Sequence, residues 1–303
     1  MVRPVDSNER ASRLEVDERR LRPGFWKLFG HYLLTKPLGT TGFGIVVFIT
    51  VVAVFAGILA PFTYQEQNYE FVRVAPNTTF YFGTDQFGRD VFSRLVYGAR
   101  ISLLVGFLAV IAGTGIGAVI GLFSGYFMGK LDAVVQRLVD MWMSFPDLIL
   151  ALSIVAVFGN TIPNVIMAIA ATILPRGVRV IRASTLSLRE TDYVLAARAI
   201  GANSPRIILR HIMPNALAPF LIIMSSMFGT AILTEAGLSF LGLGISEPTP
   251  SWGRMLTGQA TQYLKTAPWI LIAPGLAISI TVLGFAFAGD AVRDILDPKQ
   301  KGR

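Results

Sequence analysis

Few residues in this chain could do covalent or metal chemistry. There is no cysteine, and the only two histidines, His31 and His211, lie far apart in the sequence. Disulfides, thiolate chemistry, histidine-based metal sites and a catalytic triad are therefore not expected. We predict no catalytic residue, no metal ligand and no cofactor-binding residue on this chain.

The sequence also lacks a phosphate-binding loop. Such a loop follows the pattern Gly-x-x-x-x-Gly-Lys-Ser/Thr, in which the glycines permit the turn and the hydroxyl holds Mg²⁺. The nearest approach is SGYFMGKL, where Ser124 replaces the first glycine and Leu131 replaces the hydroxyl residue. Any ATP that the protein uses must therefore bind to another chain.

The composition predicts an all-α polytopic membrane protein. Hydrophobic residues make up 53% of the 303 residues and charged residues only 15%, whereas about a quarter of a soluble domain is charged. A helix needs roughly 20 mostly apolar residues to cross a bilayer. We predict six such spans, at 43–62, 101–127, 138–158, 162–181, 216–243 and 267–289.

The positive charges indicate the orientation. With the N-terminus inside, 21 of the 27 Lys and Arg residues fall on the cytoplasmic side and 6 outside. Cytoplasmic loops carry such an excess, so we place both termini in the cytoplasm. The net charge of +8 then follows from topology, and nucleic acid is not an expected partner.

The spans divide the chain into five parts. A cytoplasmic tail (1–42), either mobile or lying along the membrane surface, precedes an uncleaved first span (43–62). An external loop (63–100) follows, and it contains a short interfacial helix. We expect residues 101–289 to form a core of five spans and residues 290–303 to form a cytoplasmic tail.

Glycines recur every fourth residue in the second span. This spacing places them on one face of a helix, where another backbone can approach closely. They form either a packing seam within this chain, which we favour, or a contact with another subunit that slides during gating. The glycines are Gly113, Gly117, Gly121 and Gly125, with Gly129 continuing the series.

Three acidic residues lie at or near bilayer depth. Such groups usually face a cavity or a partner. Glu235 either contacts a transmembrane pathway or packs near the outer surface, and Asp140 lies near the cytoplasmic headgroups. Asp147 follows Pro146, which predicts a kinked or interrupted helix, and is a second pathway or gating candidate. No chain of histidines and acids supports a proton relay.

A polar stretch, residues 189–215, separates the fourth and fifth spans. It predicts a first helix capped by Thr191 or Asp192 and ended by Gly201. A second helix follows, with Ser204 as its N-cap and Pro205 at its first position. Two short helices joined at a glycine would thus stand out of the membrane on the cytoplasmic side.

The surface of this stretch suits docking into another protein. Ala196 and Ala197 carry almost no side chain, and Tyr193 and Arg198 flank them. The alternative is an amphipathic helix held on anionic lipid by arginines. Partner docking is favoured, because interfacial helices use large apolar anchors rather than alanine. The connection to both adjacent spans would let the element transmit a rigid push.

The stretch resembles the cytoplasmic EAA loop of binding-protein-dependent ABC transporter permeases. In that family the pattern is Glu-Ala-Ala, three residues, Gly, nine residues, Ile, any residue, Leu-Pro. Ala196, Ala197, Gly201 and Pro214 match it, whereas Leu195, His211 and Met213 replace the glutamate, isoleucine and leucine.

Four further segments resemble the C-type permease subunit of dipeptide and oligopeptide importers. They are FGTDQFGRDVFSRLVYGARISLLVG (82–106), SFPDLILAL (144–152), EAGLSFLGLG (235–244) and GDAVRDILDP (289–298). The resemblance implies the type I ABC importer fold and a place in a bacterial or archaeal plasma membrane. It also implies four kinds of partner: a second, B-type permease, two ATPase subunits that hold ATP and Mg²⁺, an external substrate-binding protein, and membrane lipid.

The resemblance also assigns roles to residues. The EAA loop of the family carries a coupling helix that docks on the ATPase, and here it would comprise Tyr193, Leu195, Ala196, Ala197, Arg198, Gly201, Ala202 and Pro214. Relatives with the same architecture import nickel chelates, glutathione or oligosaccharides. An ion-gradient-driven secondary transporter is the alternative from another class, although no inverted repeat supports it.

Overall fold

The computed structural model describes residues 37–257 and 262–296. Its first membrane helix, α1 (Pro37–Val54), is followed after one residue by a short helix, α2 (Ala56–Leu59). This first span therefore begins earlier than expected, within the predicted 1–42 tail. The remainder of that tail, residues 1–36, lies outside the described residues.

The second span belongs to a long helix, α3 (Val91–Phe127), of 37 residues. Asp90 caps its start, because the Asp90 carboxylate accepts a hydrogen bond from the Ser93 N–H (2.8 Å). At 1.5 Å per residue the helix is about 55 Å long, which exceeds the roughly 30 Å of hydrocarbon in a bilayer. The separate interfacial helix predicted in the 63–100 loop is therefore wrong, since those residues are the first turns of α3.

The predicted third span is broken in two. Helices α4 (Gly129–Met143) and α5 (Asp147–Phe158) meet at an angle of 90°. Pro146 lies at the break, where proline cannot donate the backbone hydrogen bond that a continuous helix requires. The interruption predicted from Pro146 and Asp147 is confirmed, whereas a single span over 138–158 is not.

Three long helices complete the membrane part of the described chain: α6 (Ile162–Arg189), α9 (Met213–Phe240) and α11 (Trp269–Leu296). Five described helices are long and apolar enough to cross a membrane, or six spans if the bent pair counts as one. The last helix continues past residue 289, so the first part of the predicted C-terminal tail is helical. Short elements between them are a 3₁₀ turn (Tyr69–Phe71), α7 (Asp192–Ala199), α8 (Ser204–Ile207) and α10 (Trp252–Met255).

The glycine seam joins α3 to α6. A β-carbon added to Gly113 would lie 2.6 Å from the Ala170 carbonyl oxygen, and one added to Gly117 would lie 2.6 Å from that of Leu174. Gly121 approaches Val178 in the same register, and the series ends with Gly125 against Arg182. The seam thus lies within this chain and holds two spans together through backbone contact. Gly129 is not part of it, because nothing lies within 4 Å of its β-carbon position.

Candidate functional site

The stretch between α6 and α9 forms a sharp elbow, residues 190–212, whose turn is fixed by Gly201. The Gly201 backbone has a φ of +85°, a conformation that residues other than glycine rarely adopt. The Ala202 N–H donates to the Ala197 carbonyl (3.0 Å) and the Gly201 N–H donates to that of Arg198 (3.0 Å). These two bonds are the Schellman pattern that ends a helix, so the predicted end of the first short helix is confirmed.

The second arm of the elbow begins one residue earlier than predicted. Asn203, not Ser204, is the N-cap of α8, and its side chain accepts a hydrogen bond from the Arg206 N–H (3.2 Å). Pro205 consequently occupies the second helical position rather than the first. Asparagine competes well with serine as an N-cap, and the neighbouring residues do not distinguish the two.

This arm runs into the fifth span without a break. Between α8 and α9, residues Ile208–Ile212 form one turn of π-helix, and Met213 continues directly into α9. Pro214 does not interrupt this run, because proline fits the first turn of a helix and α9 begins at Met213. The helical run Ser204–Phe240 spans 37 residues, so the second arm of the elbow and the fifth span form one rod.

The elbow is anchored on the ends of α3 and α6. Val194, Ile207 and Ile212 are buried in one cluster with Leu122 and Ile181. Ala197 is buried as well, so the expectation that Ala196 and Ala197 together form a surface is wrong. Positions 194 and 197 lie on the same face of α7, and that face is turned inward.

The opposite face of α7 is open. Ala196 and Arg198 are exposed, Tyr193 and Leu195 are nearly half exposed, and Ile200 is 86% exposed. The ring of Tyr193 lies 6.3 Å from that of His211, between centroids. The available surface therefore comprises an alanine between two apolar side chains, Leu195 and Ile200, at the tip of a supported turn.

The acids of the bent pair are paired with arginines of α6. Arg176 donates to Asp147 (2.5 Å) and Arg179 to Asp140 (2.6 Å). Arg182 makes two bonds of 2.6 Å to Asp132, and the Ser124 hydroxyl donates to the same carboxylate (2.5 Å). Sequence reasoning missed Asp132, although its position shortly before the predicted third span (138–158) was a usable signal.

Glu235 lies fully buried among serines. The Ser239 hydroxyl donates to one carboxylate oxygen (2.7 Å) and the Ser102 hydroxyl to the other (3.2 Å). Ser102 also accepts from the Trp252 N–H (3.2 Å). One carboxylate oxygen is thus bonded within α9, while the other links α9 to Ser102 of α3, which in turn accepts from the first residue of α10.

Sequence reasoning also missed a cluster of arginines in the loops predicted to lie outside. Arg89, Arg94 and Arg254 line one cavity, together with Asp85 and Glu247. A signal was available, because the positive-inside rule depletes arginine on this side. Three of the 6 outside Lys and Arg residues meet at this cavity.

These features define a class. The described residues form a bundle of membrane helices in which a supported elbow with an open face is fused to two spans, and two family models match this chain. The family model described as "Binding-protein-dependent transport system inner membrane component" matches residues 117–302. A second, the "N-terminal TM domain of oligopeptide transport permease C", matches residues 24–76. The chain belongs to the family of binding-protein-dependent ABC transport permeases.

Individual relatives are similar over most of the chain. The dipeptide transport system permease protein DppC of Alkalihalophilus pseudofirmus is 42% identical over 276 residues, which cover 91% of this chain and 90% of the relative. The glutathione transport system permease protein GsiD of Escherichia coli is 41% identical over 281 residues, or 92% and 90%. An inward-facing structure of the MetNI methionine ABC transporter has a similar fold, with a TM-score of 0.56, 22% identity and coverage of 67% of this chain and 96% of that one.

Proposed function

We propose that this chain forms half of the transmembrane pathway of an ATP-driven importer of small peptides. Its partners would be a second permease, two ATPase subunits that bind ATP and Mg²⁺, and an external binding protein. The chain would lie in the plasma membrane with both termini in the cytoplasm. The peptide class is supported by relatives named for dipeptide and for glutathione, itself a small peptide, at 42% and 41% identity.

The elbow carries this proposal. Its buried face is fixed on the ends of α3 and α6, and its second arm is continuous with the fifth span. A partner that grips Leu195, Ala196 and Ile200 would therefore move a whole span rather than a loose loop. Such rigid-body transmission is a recognised mode of switching, and it suits an ATPase that drives the pathway between inward- and outward-facing states.

Docking at the elbow can be tested with a matched pair of substitutions. Ala196→Trp adds bulk to an exposed site, so it should leave the fold intact but obstruct a partner groove. We expect the ATPase subunits to be lost from the permease complex purified in detergent. Ala75→Trp, at an exposed site in the 63–100 loop, should retain them. Full retention of the ATPases by Ala196→Trp would contradict the docking assignment.

Ala197 is not a suitable position for this docking test. Ala197 is buried against the elbow cluster, so Ala197→Trp would damage packing whether or not a partner docks there. Loss of the ATPases in that variant would therefore not distinguish docking from misfolding, whereas the Ala196 and Ala75 pair does.

A further inference from the structure

A cavity of about 750 Å³ lies where the loop before α3 meets the segment after α9. We call it the arginine pocket and define it by Asp85, Arg89, Arg94, Glu247 and Arg254. Binding sites for small ligands usually measure about 300–1,000 Å³, so its size suits a molecule of a few residues. The C-terminal end of α9, at Phe240 and Leu241, provides an apolar wall.

One of the two acids in the pocket, Asp85, already has hydrogen-bond partners for both of its carboxylate oxygens. The Asp85 carboxylate accepts from the Arg89 side chain (2.6 Å) and from the backbone N–H groups of Phe87 (2.8 Å) and Arg89 (3.0 Å). Asp85 and Arg89 are both nearly completely buried. This pair therefore shapes the loop and leaves no free charge of its own.

The other acid is shared among three arginines. Glu247 accepts one hydrogen bond from Arg89 (2.9 Å), while Arg94 and Arg254 approach it only to 3.7 Å each. The Arg94 side chain is only 3% exposed, and the Arg254 Nε is buried without a hydrogen-bond partner. Three guanidinium groups thus face two carboxylates, which leaves one positive charge in excess at the pocket. Arg94 donates to the Tyr64 carbonyl (3.1 Å), whereas the Arg254 side chain is 23% exposed.

We propose that the arginine pocket binds the C-terminal carboxylate of the transported peptide. A guanidinium group binds a carboxylate through a planar fork of donors. Arg254, whose side chain is 23% exposed, offers such donors beside an apolar wall that would take the last side chain, and the buried Arg94 adds positive charge behind it. The inference rests on the proposed function and on the external placement of these loops. The pocket would then receive the peptide at the outer mouth of the pathway.

The test compares each peptide with its C-terminal amide. The complete transporter, with its second permease, ATPases and binding protein, is reconstituted in proteoliposomes, and ATP-dependent uptake of a dipeptide and of its amide is measured. The quantity of interest is the ratio of the two uptake rates. Any preference of the binding protein for the free acid is the same in every variant, so a change in the ratio reports on the permease.

Arg254→Gln should lower the acid-to-amide ratio about tenfold, the effect of losing a charge-assisted hydrogen bond. The Arg254 backbone, which is held by Ser251, keeps its bond, and Glu247 keeps its bond to Arg89. The control Lys265→Gln removes the same charge from an exposed site outside the pocket and should leave the ratio unchanged. Glu247→Gln removes the competing carboxylate and should raise the ratio.

The outcomes separate the alternatives. A ratio that stays constant in both Arg254→Gln and Glu247→Gln overturns the proposal. Equal loss of acid and amide uptake in Arg254→Gln, restored by more binding protein, would instead assign the arginines to an acidic side chain of that protein. Absence of ATP-dependent peptide uptake in the unmodified transporter would contradict the proposed function itself.

Discussion

At the scale of single residues, the backbone conformation of a glycine and the space around it decide whether a substitution is tolerated. Gly201 has a left-handed backbone, yet nothing lies within 4 Å of its β-carbon position. Gly88 shares the left-handed conformation, but an added β-carbon there would lie 1.9 Å from the Asn68 carbonyl oxygen. A substitution at Gly201 therefore strains only the turn, whereas one at Gly88 would also collide with a neighbouring loop.

Gly201→Leu should weaken the coupling of ATP hydrolysis to uptake without preventing membrane insertion. A residue with a β-carbon in the left-handed region costs about 1–2 kcal/mol, and this cost falls on the turn that sets the angle of the elbow. The measurement is peptide imported per ATP hydrolysed in proteoliposomes, which we expect to fall several-fold. Gly201→Asn is the control, since asparagine tolerates this conformation; equal coupling in the two variants would exclude a role for the turn.

At the scale of elements, the glycine seam explains how two long spans stay together without a hydrophobic effect between them. In lipid, helices associate through close backbone packing, and the four-residue repeat of α3 is matched residue for residue along α6. The sequence predicted the seam from spacing alone. The sequence did not identify α6 as the partner helix, because the facing residues, such as Ala170, Leu174 and Val178, are not a repeat of small residues.

The close packing of the seam predicts that substitution by alanine will affect stability differently at two glycines of α3. In Gly121→Ala the new β-carbon would lie 2.6 Å from the Val178 carbonyl oxygen, so α6 must shift, at a cost of about 1–3 kcal/mol. Gly115 faces open space, and Gly115→Ala should be neutral or slightly stabilising, because alanine favours helix. The heat-induced aggregation temperature of the purified complex in detergent should fall only for Gly121→Ala. Equal temperatures would contradict the seam.

At the scale of the whole molecule, the pattern of apolar residues and Pro146 predicted the membrane helices and the break between two of them, while long-range contacts decided how the helices pack. Hydropathy located the long membrane helices, but it did not reveal that the third predicted span is broken or that α3 already begins at Val91. The burial of Ala197 and the meeting of Arg94 with Arg254 are equally non-local. Both depend on segments far apart in the sequence, so the spacing of residues within one segment cannot predict them.

The orientation of the molecule can be tested because the chain has no cysteine. Thr78 is exposed in the 63–100 loop, and Ile200 is 86% exposed at the tip of the elbow. With the elbow in the cytoplasm, a membrane-impermeant maleimide should label Thr78→Cys in intact cells, and Ile200→Cys only after permeabilisation. Co-expression of the ATPase subunits should then slow labelling of Ile200→Cys but not of Thr78→Cys, because docking covers only the elbow. Labelling of Ile200→Cys in intact cells would reverse the topology, and it would move both the elbow and the arginine pocket to the wrong sides for their proposed partners.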